Sequence, residues 1–294
     1  MADLTERGFD RGRDLPALIS LIGRARASSD PHAFLHPGGL QWLLRKLDDE
    51  AFAVGQWFDG DDLAGVVVDD SGYLIVQGAT GAIDRHFWLL GQAEAQLRGS
   101  GQPTAEVSVW EDDRELLSSL RSLGYGPSGT YGHELVYDVV AVQADPLLPD
   151  GFAMLSLEPN LDEAYIELHR AAWSTWAPST YDRQMHAAVT TMPYFDRDLV
   201  AIAAGPDGTL AAYCIAWFDP RTRTVEIEPL GTHPKFRRLG LARAIVQEVV
   251  RRSAHRGAES VMVWGVNTNP VATHLYESAG FRSRRVLREY RREL

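Results

Sequence analysis

The sequence predicts an α/β chain of two tandem domains, and three observations carry that prediction. An apolar, β-branched run over 224–230 leads through a turn containing Gly240 into helical periodicity over 244–250. A second strand-then-helix unit follows over 260–281. The 294 residues are comfortable for two domains, and the halves repeat. Hairpins at 52–68 and 199–215 carry Asp59-Gly60 and Asp207-Gly208 at their turns, and 120–125 mirrors 276–281. A repeat of so long a period indicates two domains rather than a solenoid. The connector is expected near 141–151, where prolines, glycine and acids cluster, giving domains 1–145 and 146–294.

Each element of the second half has a local reason. On the strand over 224–230, Glu226 and Glu228 are two apart and share a face, while Val225 and Ile227 take the other. Two carboxylates on one face of an apolar strand need water, a cation or a proton, and their mutual repulsion raises one pKa toward the range useful for a base. Next comes Arg237-Arg238-Leu239-Gly240-Leu241-Ala242. Strand, glycine turn and helix start together form an anion trap, because unpaired N–H groups and the helix dipole converge there. Arg237 adds a cation, Gly240 permits unusual φ, and Ala242 leaves room against the helix. Gly257 stops the helix, and 260–266 reads as a buried strand. Asn269 then caps a helix opened by Pro270, with Ala272, Leu275 and Ala279 on one face and Gly280 at its end.

The segment 237–242 resembles the signature Arg/Gln-x-x-Gly-x-Gly/Ala of the GNAT (Gcn5-related) N-acetyltransferase superfamily, and 269–281 matches its pattern Asn-x-x-Ala-x-x-Leu-Tyr-x-x-x-Gly-Phe. The resemblance covers roughly 150–294. It implies, in each half, a mixed, mostly antiparallel central sheet flanked by helices. It also implies acetyl-CoA as donor, its pyrophosphate on 237–242, and direct transfer to an amine. Tyr276 would then protonate the leaving thiolate, backbone N–H groups around Leu230, Gly231 and Thr232 would polarise the carbonyl, and Asn269 would bond the pantetheine arm. Glu226 and Glu228 are both candidate bases, and the sequence leaves the choice open. His233 reads as a turn histidine.

The first half resembles a worn copy of the same domain. After the strand 73–76 it has Gly78-Ala79-Thr80-Gly81-Ala82-Ile83-Asp84-Arg85, without the phosphate signature. Asp84 places negative charge where pyrophosphate would lie, and Leu120 stands in the place of Tyr276. A structural role, or a share in shaping the acceptor cleft, is expected. The two-domain plan with a worn first copy is similar to that of mycothiol synthases.

A net charge of −11 argues against nucleic-acid and anionic-membrane partners. No apolar stretch of about 18 residues and no signal peptide is evident, so cytoplasm is expected. With only Lys46 and Lys235 among 29 basic residues, the arginine bias points to a GC-rich bacterial genome. The single cysteine, Cys214, lies in an apolar run and reads as a structural thiol; it excludes internal disulfides, and no metal-ligand spacing appears. The expected partner is a small-molecule amine, met by a monomer or homodimer. The acceptor cleft is expected over 161–194, with Trp173, Trp176 and Tyr194 as an aromatic wall and Glu167 or Asp182 supplying charge. The alternative is a non-catalytic CoA-binding sensor, against which an intact Tyr276 and paired glutamates speak. A different acyl-CoA donor is a third reading.

Overall fold

The computed structural model describes residues 4–79, 82–139, 145–174 and 178–294. Among these residues twelve strands form one sheet in the order β1-β2-β3-β4-β5-β12-β6-β11-β10-β9-β8-β7. The first half contributes β1 (Thr5–Gly8), α1 (Arg11–Ala27), α2 (Pro37–Leu43), β2 (Phe52–Asp59), β3 (Asp62–Asp70), β4 (Tyr73–Gly78), α3 (Ile83–Ser100), β5 (Thr104–Trp110), α4 (Arg114–Ser122) and β6 (Gly126–Asp138). The second contributes β7 (Ala153–Ser156), α5 (Asp162–Trp173), α6 (Arg183–Thr190), β8 (Ala201–Ala204), β9 (Leu210–Asp219), β10 (Thr224–Thr232), α7 (Leu241–His255), β11 (Ser260–Val266), α8 (Pro270–Ser278) and β12 (Arg282–Glu293). The α/β class and the mostly antiparallel sheet expected from the sequence are therefore present. Among the described residues the ladder is parallel only at β4–β5 and β10–β11, the equivalent places in the two halves.

The halves exchange their last strands. β6 leaves the first half and pairs with β11, Val136 opposite Met262 and Glu134 opposite Trp264. β12 leaves the second half and pairs with β5, Tyr290 opposite Val107. The two exchanged strands then pair with each other at the centre of the sheet, from Arg282–Val136 to Arg291–Gly126. The connector that includes 140–144 lies outside the described residues in that part.

The internal repeat reaches the level of hydrogen bonds. Asp113 caps α4 by accepting from the Leu116 N–H, and Asn269 caps α8 by accepting from the Ala272 N–H. Both helices end the same way: Gly124 (φ +89) and Gly280 (φ +102) let the chain turn back, so that Tyr125 N–H bonds Leu120 and Phe281 N–H bonds Tyr276. On one face of β10, Val225 and Ile227 pack with Ile245, Val246 and Val249 of α7. On the other face, Tyr213, Ile215 and Trp217 of β9 pack with α5 and, from the first half, with Leu40 and Trp42 of α2.

The exchanged strands give each half a sheet that contains a piece of the other. Calorimetric melting of the whole chain should show one cooperative transition, and two well-separated transitions would contradict that coupling.

Candidate active site

The site forms where β10 and β11 part. They pair in parallel only from Thr224–Ser260 to Glu226–Met262. Beyond that point β10 follows β9 through an irregularity between Ile227 and Leu230, at the cis peptide Glu228–Pro229, and a gap opens on its β11 side. His233 N–H donates to Ala211 on the β9 side, so by ladder alternation the N–H groups of Leu230 and Thr232 turn toward the gap. Gly231 sits where a Cβ would lie 2.5 Å from the Tyr213 ring and 3.0 Å from Ala172, a close approach only glycine allows.

The loop after β10 is an anion cradle. Arg238 (φ +69) and Gly240 (φ +84) are both left-handed, and Arg238, Leu239 and Gly240 are exposed. Gly240 offers no side-chain cap, and the first helical N–H bond is Ala244 to Gly240. The N–H groups of Leu241, Ala242 and Arg243 are thus the orphan donors of α7. Arg237, read from the sequence as a phosphate cation, braces the loop: its guanidinium donates to Thr232 O (3.3 Å) and Ala172 O (3.0 Å). A cleft of about 530 Å³ starts at this helix end, lined by Gly240, Arg243, Ala244 and Gln247 on one side and by Tyr137, Leu147 and Ala279 on the other. Leu239 and Val271 are large apolar residues left exposed on the same loop and on α8. A ligand with phosphates and a long flexible arm, such as CoA, fits this combination of orphan donors, arginines and bare apolar surface.

Tyr276 lies behind the sheet, 6% exposed, between Phe281 and the α7 layer. Its hydroxyl makes no hydrogen bond to the described residues. Burial, aided by Cys214 and Glu228, holds its pKa well above the usual value, so it carries its proton at any ordinary pH. Asn269 occupies the N-terminus of α8 with its Oδ1 committed to the cap. Cys214 is fully buried, and burial raises its thiol. Among the described residues no group of three or more His, Cys, Asp or Glu side chains is placed to hold a metal.

The paired glutamates have different surroundings. Glu226 is 2% exposed and covered by α2 of the first half. Gly39 presses on it so closely that a Cβ there would lie 2.6 Å from Oε2, and that oxygen has no hydrogen-bond partner. His36 Nδ1, 3.4 Å from Oε2, already accepts from Gly38 N–H, so Nε2 carries the ring hydrogen and donates to Thr224 Oγ1. Glu228 is only half-buried. Burial first, and then Glu226, push its carboxyl up to about 7, while Arg45 pulls the other way.

In front of Glu228 the walls are aromatic. Trp173 donates from Nε1 to Tyr213 Oη at 2.8 Å and stacks on His169. His169 stacks on Tyr181 at 3.9 Å, and Trp42 closes the group from the first half. Burial, with the charges of Arg45 and His186, depresses His169 to about 3, so its ring is neutral; neither ring nitrogen has a partner. Of the wall expected from sequence, Trp173 is in this group, Trp176 lies outside the described residues, and Tyr194 is held elsewhere, its N–H donating to Gln41. Asp182 is the cap of α6, Glu167 faces solvent, and His233 caps the turn before Arg237. The segment 36–42 of the first half crosses onto the second, and Trp42 and Arg45 with it, which no local pattern announces.

In the first half the equivalent slot, between β4 and β5, is filled by the chain itself. The loop over 28–36 lays His32 against Asp113, the cap of α4, with Nδ1 to Oδ2 at 2.5 Å. Gln77 of β4 donates to Asp30, and Trp110 of β5 donates to Ala33 O. His86 packs over His32, and Asp84 sits in the first turn of α3. Thr80 and Gly81 lie outside the described residues.

Residues 159–281 match the acetyltransferase (GNAT) family. Similar solved structures extend over both halves. A GCN5-related N-acetyltransferase from Sphaerobacter thermophilus is 19% identical, with 99% of this chain and 95% of that one covered and a TM-score of 0.63. A tandem GNAT protein from the clavulanic acid biosynthesis pathway is 15% identical, with 99% and 98% covered and a TM-score of 0.67. A GNAT-family acetyltransferase from Colwellia psychrerythraea is 15% identical, with 97% and 99% covered and a TM-score of 0.56. No curated protein sequence matches the chain. The fold and the site therefore define a protein of tandem GNAT architecture. The part that matches the acetyltransferase family lies within the second half.

The His32–Asp113 pair makes a pH-dependent contribution. Burial opposes the charge on His32, but Asp113 outweighs it and the histidine pKa is raised; Asp113 is lowered by the same bond despite its burial. The histidine part of the stability is complete below its unfolded value near 6.5 and is lost as pH rises through the raised one; the Asp113 part is lost in acid. Asp113→Ala removes both the pair and a helix cap and should cost about 3 kcal/mol in urea denaturation at pH 6. A loss below about 1 kcal/mol would show that the slot is held shut by something else.

Proposed function

We propose that the chain moves an acetyl group from acetyl-CoA to the amine of a small-molecule acceptor, with the second half active and the first half supplying one wall of the acceptor cleft. What supports this reading is the half-buried Glu228 at the irregularity of β10, followed a few residues on by the uncapped start of α7.

Glu228, half ionised near pH 7, takes a proton from the incoming ammonium and leaves a neutral amine to attack. The N–H groups of Leu230 and Thr232 favour negative charge on the thioester oxygen as the new C–N bond forms. Glu228, having released the first proton to solvent, takes the second N–H proton of the adduct; the C–S bond breaks, and Tyr276 gives its proton to the leaving thiolate and is reprotonated from solvent. The orphan N–H groups of 241–243, with Arg238 and Arg243, hold the pyrophosphate, and Arg237 keeps the loop in register with β10. Glu226, sealed under α2, acts on Glu228 through its charge rather than on the acceptor.

Two measurements check this. Calorimetric titration of acetyl-CoA should give one site per chain, lost in Gly240→Asp, because the slot of the first half is filled. Two sites would mean the first half binds as well, and no binding would sink the transferase reading. In pH–rate profiles, kcat/KM for an accepted amine should rise with pH through about 7 as Glu228 ionises. Glu228→Gln should remove that limb and cost about 10²-fold or more in rate; an unchanged limb would assign the base elsewhere.

A further inference from the structure

Arg45 is a cation from the first half placed at the acceptor face of the second. It follows α2, is half-buried, and sits over the Trp42 ring with Cζ 3.9 Å from the ring centroid. One N–H is spent on its own chain, Nη1 donating to Trp42 O at 2.6 Å. No carboxylate of the described residues forms an ion pair with it. Asp70, the nearby acid on β3, is bound by Lys46 at 2.6 Å. Glu228 acts on Arg45 through space without a direct bond. Its charge also acts on His169, whose two buried ring nitrogens have no hydrogen-bond partner.

A partly dehydrated guanidinium without a counter-ion is costly, and its planar set of N–H donors fits an oxyanion. Beside it, Glu228 favours an ammonium. The two charges are offered separately, one to each end of a ligand. We infer that the acceptor is a small amine that also carries an anionic group, a carboxylate or phosphate bound by Arg45 while the amine lies at Glu228. The inference rests on the proposed acceptor face, and it makes Arg45 a specificity-determining residue supplied by the half that lacks the phosphate signature.

Matched pairs of ligands test this by binding, independently of turnover. Alanine, phenylalanine and glutamate would each be titrated against its carboxamide, and phosphoethanolamine against ethanolamine, into the full chain with CoA present. Wild type should hold the anionic member of at least one pair about 10- to 100-fold more tightly. The pair that shows the preference tells carboxylate from phosphate. In Arg45→Gln the preference should fall toward unity, and Arg45→Lys, with charge but no fork, should restore part of it. Should the variants fail to fold, the wild-type preference alone decides. Equal binding within every pair, tighter binding of the neutral members, or no binding of any member would overturn the inference. Selective binding without acetyl transfer would retire the transfer reading and leave this one standing; transfer to amines irrespective of their charge would do the reverse.

Discussion

An antiparallel strand pair cannot be parted without baring two rows of N–H and C=O groups, and the pair at the centre of this sheet is made of one strand from each half. β6 and β12 are each flanked on the outer side by a strand of the opposite half. Everything chemical hangs from that arrangement. β11, one wall of the gap, is braced by β6 of the first half. With the halves fixed in one sheet, α2 can lie across β9 and β10 and bring Gly39 onto Glu226 and Trp42 onto His169.

The same local geometry has been put to opposite uses in the two copies. In both, a strand pair opens after a short parallel ladder, and an Asn or Asp caps the helix beyond. In the second copy the gap stays open, faced by Glu228 and the uncapped start of α7. In the first, the aspartate at the cap binds His32 and the gap is packed by the loop that carries it. Protein side chains fill that slot, and their hydrogen bonds tie the loop to β4, β5 and α4.

Much of this was legible in the sequence, because it is local. The turn 237–242, the helix capped by Asn269, the tyrosine at 276 and the hairpins of both halves are each set by spacing within about a dozen residues. The bracing role of Arg237 was hidden, since a cation next to a phosphate-type loop reads the same whether it points at the ligand or back at Thr232 O. Which glutamate is sealed depends on Gly38-Gly39, some 190 residues earlier in the chain, letting a helix approach that closely. Arg45 and the strand exchange were equally silent. Long-range pairing leaves no period in a sequence, and an edge strand looks alike whichever partner it finds.

The strand exchange also has a consequence during synthesis. β6 leaves the ribosome with both of its eventual neighbours, β11 and β12, still unmade. At ordinary elongation rates that interval is roughly 10 to 30 s, far longer than hydrophobic collapse takes. Through it, a strand of 13 residues and the open side of β5 wait without partners. The nascent first half must be shielded or must collapse provisionally, and a stalled ribosome would release a chain whose sticky edges no later folding can cover.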